Sequence, residues 1–199
     1  MKIFLGTNNQ GKIKEIKEIL SDLNLEILTP QDLKIEFKCQ EDGDTFYENA
    51  YKKAITGLLQ TGYITIGEDS GLMIDYLKGA PGIFSSHFAK KGDDKANIKK
   101  VLSLLKGIKK NKRKAKFKSV ICLALSLKKV KFFEGECEGY ISEKAMGKEG
   151  FGYDPIFIPK GYKKTFAQLG KEKNKISHRA KALQKLKEYL ATLIKKEEQ

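Results

Sequence analysis

Short apolar runs closed by turn residues alternate along this chain with stretches in which apolar positions recur every three to four residues. Residues 2–6 read as a first buried strand. A polar turn, Thr7 to Gly11, follows, and Ile13, Ile16, Ile19, Leu20 and Leu23 then mark a helix from about Lys12 to Leu23. A short strand near Leu25 to Leu28 comes next. Thr45-Phe46-Tyr47-Glu48 fits a capping box and opens a helix running to about Thr61. The run Tyr63 to Ile66 is a strand that leads into Glu68-Asp69-Ser70-Gly71, read as the turn at its end. Leu72 to Leu77 reads as a further strand or hairpin arm, before a tight turn at Gly79-Ala80-Pro81-Gly82. Ile98, Val101, Leu102 and Leu105 define a helix from about Asp94 to Leu105. Residues 115–127 and 130–138 form a hairpin around Lys128-Lys129, its second arm alternating Phe133, Gly135, Cys137 and Gly139 with Glu134, Glu136 and Glu138. A glycine-rich loop with Gly147, Gly150 and Gly152 precedes a short strand, Ile156 to Pro159. Leu183, Leu186, Leu190, Leu193 and Ile194 line a last amphipathic helix.

The 199 residues suffice for one domain, or one core split into two lobes, and no repeat or linker divides them. Hydrophobic residues make up 40% and charged residues 32%, as in an ordinary globular protein; the formal charge of +14 is what stands out. Such a field draws polyanions, whether nucleic acid, acidic membrane or phosphorylated small molecules. Cys39, Cys122 and Cys137 form no CxxC pair, which argues against a disulfide framework or zinc ribbon and fits a reducing cytoplasm. The longest apolar stretch, Val120 to Leu127, falls well short of a bilayer span, so no membrane partner is expected.

Several places carry candidate chemistry. Strand, Asn/Gly turn and helix start at Gly6 to Lys12 present backbone N–H groups to an anion, with Lys12 as the cation. The segment nearly spells a P-loop but fails at Ile13, where that motif needs a hydroxyl for magnesium. Adjacent Glu68 and Asp69 need a shared cation or proton, and Glu41, outside the Thr45 cap, is a candidate ligand for a hard cation. Phe151 offers a flat surface, with Tyr153 or Asp154 able to read a base edge. Lys173, His178 and Arg179 cluster at a helix start, where positive charge is unfavourable unless an anion docks there. His87 after the Pro81-Gly82 turn could serve as a general acid, but a lone histidine there is more often a surface or packing residue. The run Lys109 to Lys114 reads as a solvated loop and is also the best nucleic-acid candidate, although no aromatics interleave it.

Together these stretches resemble the inosine triphosphate pyrophosphatase family, over nearly the whole length. The resemblance rests on Thr7-Asn8-Asn9-Gln10-Gly11-Lys12, on Glu41 ahead of Thr45 to Ala50 with Lys53 following, and on Glu68-Asp69-Ser70-Gly71-Leu72. Gly79 to Gly82, Phe151-Gly152-Tyr153-Asp154-Pro155, and Lys173 with Ser177-His178-Arg179 complete it, in the same order. It implies an elongated α/β fold, a mixed central sheet with two α/β lobes flanking a deep nucleotide-binding cleft, and a homodimer. It implies Mg²⁺-dependent hydrolysis of ITP, dITP and XTP to the monophosphate and pyrophosphate. By position, Thr7, Asn8, Asn9, Gln10, Gly11 and Lys12 would meet the triphosphate with Lys53. Glu41 and Asp69 would hold metal, and Asp69 would be the general base. Ser70, Phe151, Gly152, Tyr153, Asp154, Lys173, His178 and Arg179 would line the nucleotide site. The chain departs from the family in Glu68, where many members have aspartate, in Ser85-Ser86-His87, where Ser-Ala-Arg is frequent, and in Gln168, where glutamate is more usual. The rival from another class is a basic nucleic-acid-binding module built on Lys109 to Lys114; a small nucleotide as partner, and no nucleic acid, is the expectation.

Overall fold

The computed structural model describes residues 1–197. Six strands, β1 (Lys2–Leu5), β2 (Glu26–Leu28), β3 (Ile64–Ile74), β4 (Lys114–Ser126), β5 (Lys129–Ile141) and β6 (Phe157–Pro159), form one sheet in the order β2-β1-β3-β4-β5-β6. The helices are α1 (Gln10–Ile19), α2 (Phe46–Thr61), α3 (Asp94–Leu104), α4 (Phe166–Leu169), α5 (Lys173–Ile176) and α6 (His178–Glu197). β1 pairs in parallel with β2 and β3, and β5 pairs antiparallel with β6. The sheet is therefore mixed, in an α/β protein.

The chain forms two compact units. One holds Met1–Asp69, Ser119–Gly135 and Arg179–Gln199; the other holds Ser70–Lys118 and Glu136–His178. Each has its own core. In the first, Ile3 and Leu5 of β1, Ile13, Ile16 and Leu20 of α1, Ile121 and Leu123 of β4 and Leu183, Leu186 and Leu190 of α6 are buried together. Those of α1 and α6 are the apolar positions whose helical spacing marked them in the sequence. In the second, Leu72 and Ile74 of β3, Val101 and Leu105, Phe117, Phe157 and Phe166 pack together. The Phe117 and Phe157 rings meet edge to face at 4.8 Å.

Most elements match the sequence pattern, with informative exceptions. α1 begins at Gln10, two residues before Lys12, because the Asn9 side chain caps it. The Thr45 hydroxyl caps α2 as expected, but the Glu48 carboxylate returns to the N–H of Asp44 at 2.9 Å, not to that of Thr45. The β4–β5 hairpin turns at Leu127-Lys128. The main correction concerns Glu68 and Asp69. They do not close a strand, because β3 runs unbroken from Ile64 to Ile74 and both carboxylates lie buried within it. Residues 75–77, read as strand, are a short 3₁₀ turn.

Candidate active site

In the first unit, the turn after β1 is built from its own side chains. Thr7 Oγ1 accepts the Asn9 N–H at 3.1 Å, Asn9 Oδ1 accepts the Lys12 N–H at 3.0 Å, and Asn8 Nδ2 donates to the Phe37 carbonyl at 2.8 Å. Gln10 Nε2 reaches the Asn8 carbonyl at 3.4 Å. Asn8, Asn9 and Gln10 are exposed, while Gly11 and Lys12 are half-buried. The first turn of α1 therefore offers backbone donors to solvent, as an anion site requires. Ile13, where a P-loop has a hydroxyl, is core.

Behind this turn lies an array of charges, buried or half-buried but for the exposed Glu41. Lys12 Nζ stands 2.7 Å from Glu68 Oε2, and Lys53 Nζ stands 3.0 Å from Asp69 Oδ1 and 2.6 Å from Glu41 Oε2. Both ammonium groups also reach the Glu68 carbonyl, at 3.4 and 3.2 Å. Adjacent strand residues point to opposite faces, so the two acids meet different partners. Glu68 Oε1 accepts from Ser119 Oγ at 2.8 Å and from Arg179 Nε and Nη2 at 3.2 and 3.1 Å. Asp69 faces α2, where Asn49 Nδ2 approaches its Oδ2 at 3.4 Å. Of the two lysines on α2, Lys52 pairs with Asp42 on the wet face, whereas Lys53 is buried.

Gly67 makes the α2 side of this arrangement possible. A Cβ there would lie 2.3 Å from the Ala50 carbonyl oxygen and 2.4 Å from the Ala54 nitrogen. Only a residue without Cβ lets β3 press against the α2 backbone and bring Asp69 to Asn49 and Lys53. Gly67→Ala is expected to cost about 1–3 kcal/mol, as overpacking does, and to lower turnover with it. Urea unfolding and activity assays on the same preparation check both.

The charges tune one another. Burial alone would raise the Glu68 pKa, but Arg179 and Lys12 more than offset it and hold the carboxyl well below the usual range. Asp69 goes the other way: burial raises its pKa, and Lys53 and Lys12 only partly pull it back. Burial also lowers Lys12, against the pull of Glu68, while Asp69 and Glu41 overcome burial to raise Lys53. One carboxylate is thus locked in its charged form while its neighbour is placed to exchange a proton.

Arg179, expected to line the nucleotide site, is turned to the protein's own carboxylates. It is 2% exposed, and Nη1 donates to Glu15 Oε2 at 2.5 Å while its other contacts hold Glu68. The positive charge at the start of α6 is answered by the protein's own carboxylates. Sequence reading missed Glu15, Asn49 and Ser119. Glu15 follows Lys12 by three residues and Lys53 follows Asn49 by four, so each pair shares a helix face. A polar residue set among apolar neighbours on such a face was the available signal.

In the second unit, Lys173 Nζ pairs with Asp154 Oδ2 at 2.7 Å, both side chains buried. The same carboxylate oxygen accepts the Phe151 N–H at 3.0 Å. A Cβ on Gly150 would lie 2.1 Å from it, and Gly150 has φ +79°, so glycine is required on both counts. Lys173 Nζ lies 4.8 Å from the centroid of the half-exposed Phe151 ring. The Gly152 N–H donates to Asp94 Oδ2 at 2.7 Å. Tyr153 is buried and its hydroxyl donates to the Ser85 carbonyl at 2.8 Å, so this phenol supports the loop in place of facing a base. His178 is buried and stacks on Phe117 at 4.5 Å. Ser70 is half-buried in β3. His87 is exposed against Phe84, in line with a surface residue.

Gln168, where glutamate is more usual in the family, completes the capping box of α4: Thr165 N–H donates to its Oε1 at 3.0 Å. Glutamine and glutamate serve a capping box equally. Gln168→Glu is expected to leave stability within about 0.5 kcal/mol, as thermal unfolding will report.

A mixed-sheet α/β protein with an anion-type turn beside a buried lysine–carboxylate array belongs, by class, with proteins that handle phosphorylated ligands. Comparison with known proteins gives the family. Residues 3–189 match the Ham1 family, and the chain belongs to it. It is 45% identical over 195 residues to the dITP/XTP pyrophosphatase of Desulforamulus reducens, with 97% of each chain covered. It is 46% identical over 188 residues to that of Bacillus subtilis, covering 94% of this chain and 95% of the other. Among solved structures, a HAM1 protein from Coxiella burnetii superposes with a TM-score of 0.87 at 38% identity, covering 96% of this chain and 99% of that one. The resemblance read from the sequence motifs is borne out.

Proposed function

We propose that this protein hydrolyses non-standard purine nucleoside triphosphates (ITP, dITP and XTP) to the monophosphate and pyrophosphate, removing them from the nucleotide pool. The observation that carries the reading is the cation bridge at Lys53, whose ammonium stands between the Glu41 and Asp69 carboxylates. Two relatives of this length and identity are named dITP/XTP pyrophosphatase.

The same bridge is the test of fit for magnesium. Among the described residues no group of three or more His, Cys, Asp or Glu side chains is gathered into a cation site. Mg²⁺, however, usually takes one or two carboxylates and fills its other positions with water and substrate phosphate. Glu41 and Asp69 converge on one positive charge, that of Lys53, and two carboxylates so placed suit a divalent cation. We assign Glu41 and Asp69 as the residues that would hold it; when bound, it would offset phosphate charge and acidify a coordinated water.

The chain's own residues then divide the work. The exposed N–H groups of the α1 turn and the Lys12 and Lys53 ammonium groups draw the triphosphate. Asp69, its pKa raised by burial, takes a proton from water directed at the α-phosphorus. Glu68, locked in its charged form by Lys12 and Arg179, keeps β3 in register. Phe151, with Lys173 beside it, would stack the base, and Ser70, Gly152, Asp154 and His178 are proposed to border it. A donor-lined pocket accepts a 6-oxo purine and rejects adenine, whose amino group would leave a buried donor unpaired; sites of that kind discriminate by roughly 10⁴-fold. The protein is proposed to work as a cytoplasmic homodimer.

Pyrophosphate release from ITP, dITP, XTP, GTP and ATP, with and without Mg²⁺, tests the reading. Release from the first three alone, and only with the metal, is expected. Equal rates on ATP, or no release from any, would refute it.

A further inference from the structure

The basic run that the proposed activity leaves unused, Lys109 to Lys114, leads into a cavity of about 750 Å³ that lies wholly within the second unit. Its walls come from the turn at Lys110–Lys112, the start of β4, the end of β5 and the residues that follow β6. Ala115, Gly139 and the Tyr140 ring give it carbon surface. Lys110, Lys114, Lys116 and Lys160 also line it, with Asp75 and Glu138 as the acidic residues among them.

These cations are unequally engaged. Lys160 pairs with Glu138 at 3.0 Å and Lys116 with Glu136 at 3.0 Å. Among the described residues Lys114 has no ion pair, and Lys110 Nζ stands 4.9 Å from the centroid of the Tyr140 ring. The sequence run had no aromatic of its own, and β5 supplies one across the sheet. Arg113, by contrast, takes no part: it is buried, donating to the carbonyls of Leu105, Ile141 and Ser142 at 2.6–2.8 Å. It pins the strand start so that its neighbours Lys112 and Lys114 are left outside.

A volume in the range of small-molecule sites, an aromatic face and unmatched cations beside it together select a flat ring that carries an anionic group. We propose that this cavity binds a mononucleotide-sized ligand, its ring against Tyr140 and its phosphate on Lys110 and Lys114.

Uridine 5′-monophosphate titrated into the full chain, with backbone amide signals followed by NMR, tests this. Saturable shifts are expected at Ala115, Gly139, Tyr140 and Gly161. Lys114→Glu and Tyr140→Leu should each weaken that binding by roughly tenfold while leaving pyrophosphate release from ITP unchanged. Uridine alone and inorganic phosphate alone should each bind at least about tenfold more weakly, since each supplies half of the contacts. The proposal falls if no saturable shift occurs at these amides, or if inorganic phosphate alone reproduces the shifts. It also falls if Lys114→Glu has no effect. A single-stranded oligonucleotide binding far more tightly than the monophosphate, with steep salt dependence, would replace it with a nucleic-acid surface.

Discussion

Asp69→Asn is expected to lower turnover by about 10²–10⁴-fold while the protein still folds. The amide keeps the size of the carboxyl and an oxygen to face Lys53, which retains Glu41 at 2.6 Å. What it lacks is a proton acceptor. Burial raises the Asp69 pKa, so the folded protein holds this proton more tightly than the unfolded chain does. The stabilising contribution of that carboxyl is full below its unfolded pKa and is lost as pH rises through the folded value. Glu68 behaves oppositely: its pKa is depressed, so its contribution is present above the unfolded value and is lost only as pH falls through the depressed one. Acid should therefore remove activity before it removes structure. Turnover and circular dichroism recorded over one pH series check the order. An acid limb of activity that coincides with unfolding would count against Asp69 as the base.

Arg179→Ala is expected to destabilise the protein by about 3–5 kcal/mol, the range for removing one partner of a buried ion pair. Sequence reasoning alone would have placed its main effect on substrate choice. The structure moves it to folding, because the guanidinium bridges Glu15 and Glu68, and its loss would take one cation from each of these buried carboxylates, leaving Glu68 with Lys12. Arg179→Lys should restore little, since one ammonium cannot reproduce contacts made through three nitrogens. Adding Glu15→Gln to Arg179→Ala should recover part of the loss by removing one of the stranded charges. Denaturant midpoints for the set measure this. Wild-type stability in Arg179→Ala would show that the bridge contributes nothing.

The elements that could be read from the sequence were those specified by neighbours in the chain. α1 and α3 declared themselves by apolar spacing and α2 by its cap at Thr45, whereas the caps at Asn9 and Asp93 were not read. The β4–β5 hairpin declared itself by alternation. What escaped was set by partners far along the chain. Glu68 and Asp69 read as a turn because two acids before a glycine rarely sit inside a strand. They are tolerated there because Lys12, Lys53 and Arg179, which are 56, 16 and 111 residues from the acids they contact, bring the cations in. No local pattern encodes that. Tyr153 and Arg113 were misjudged for the same reason: their polar ends reach carbonyls on distant segments and let the rest of the side chain be buried. The motif residues were legible as a set, but the sequence did not separate those that face a ligand from those that hold other residues in place.

The account turns on water being delivered to the innermost phosphorus of the substrate. Hydrolysis of ITP in ¹⁸O-enriched water, followed by mass spectrometry of both products, tests this most directly. The label is predicted in the inosine monophosphate, with pyrophosphate unlabelled. Label in the pyrophosphate, or release of orthophosphate in place of pyrophosphate, would contradict it.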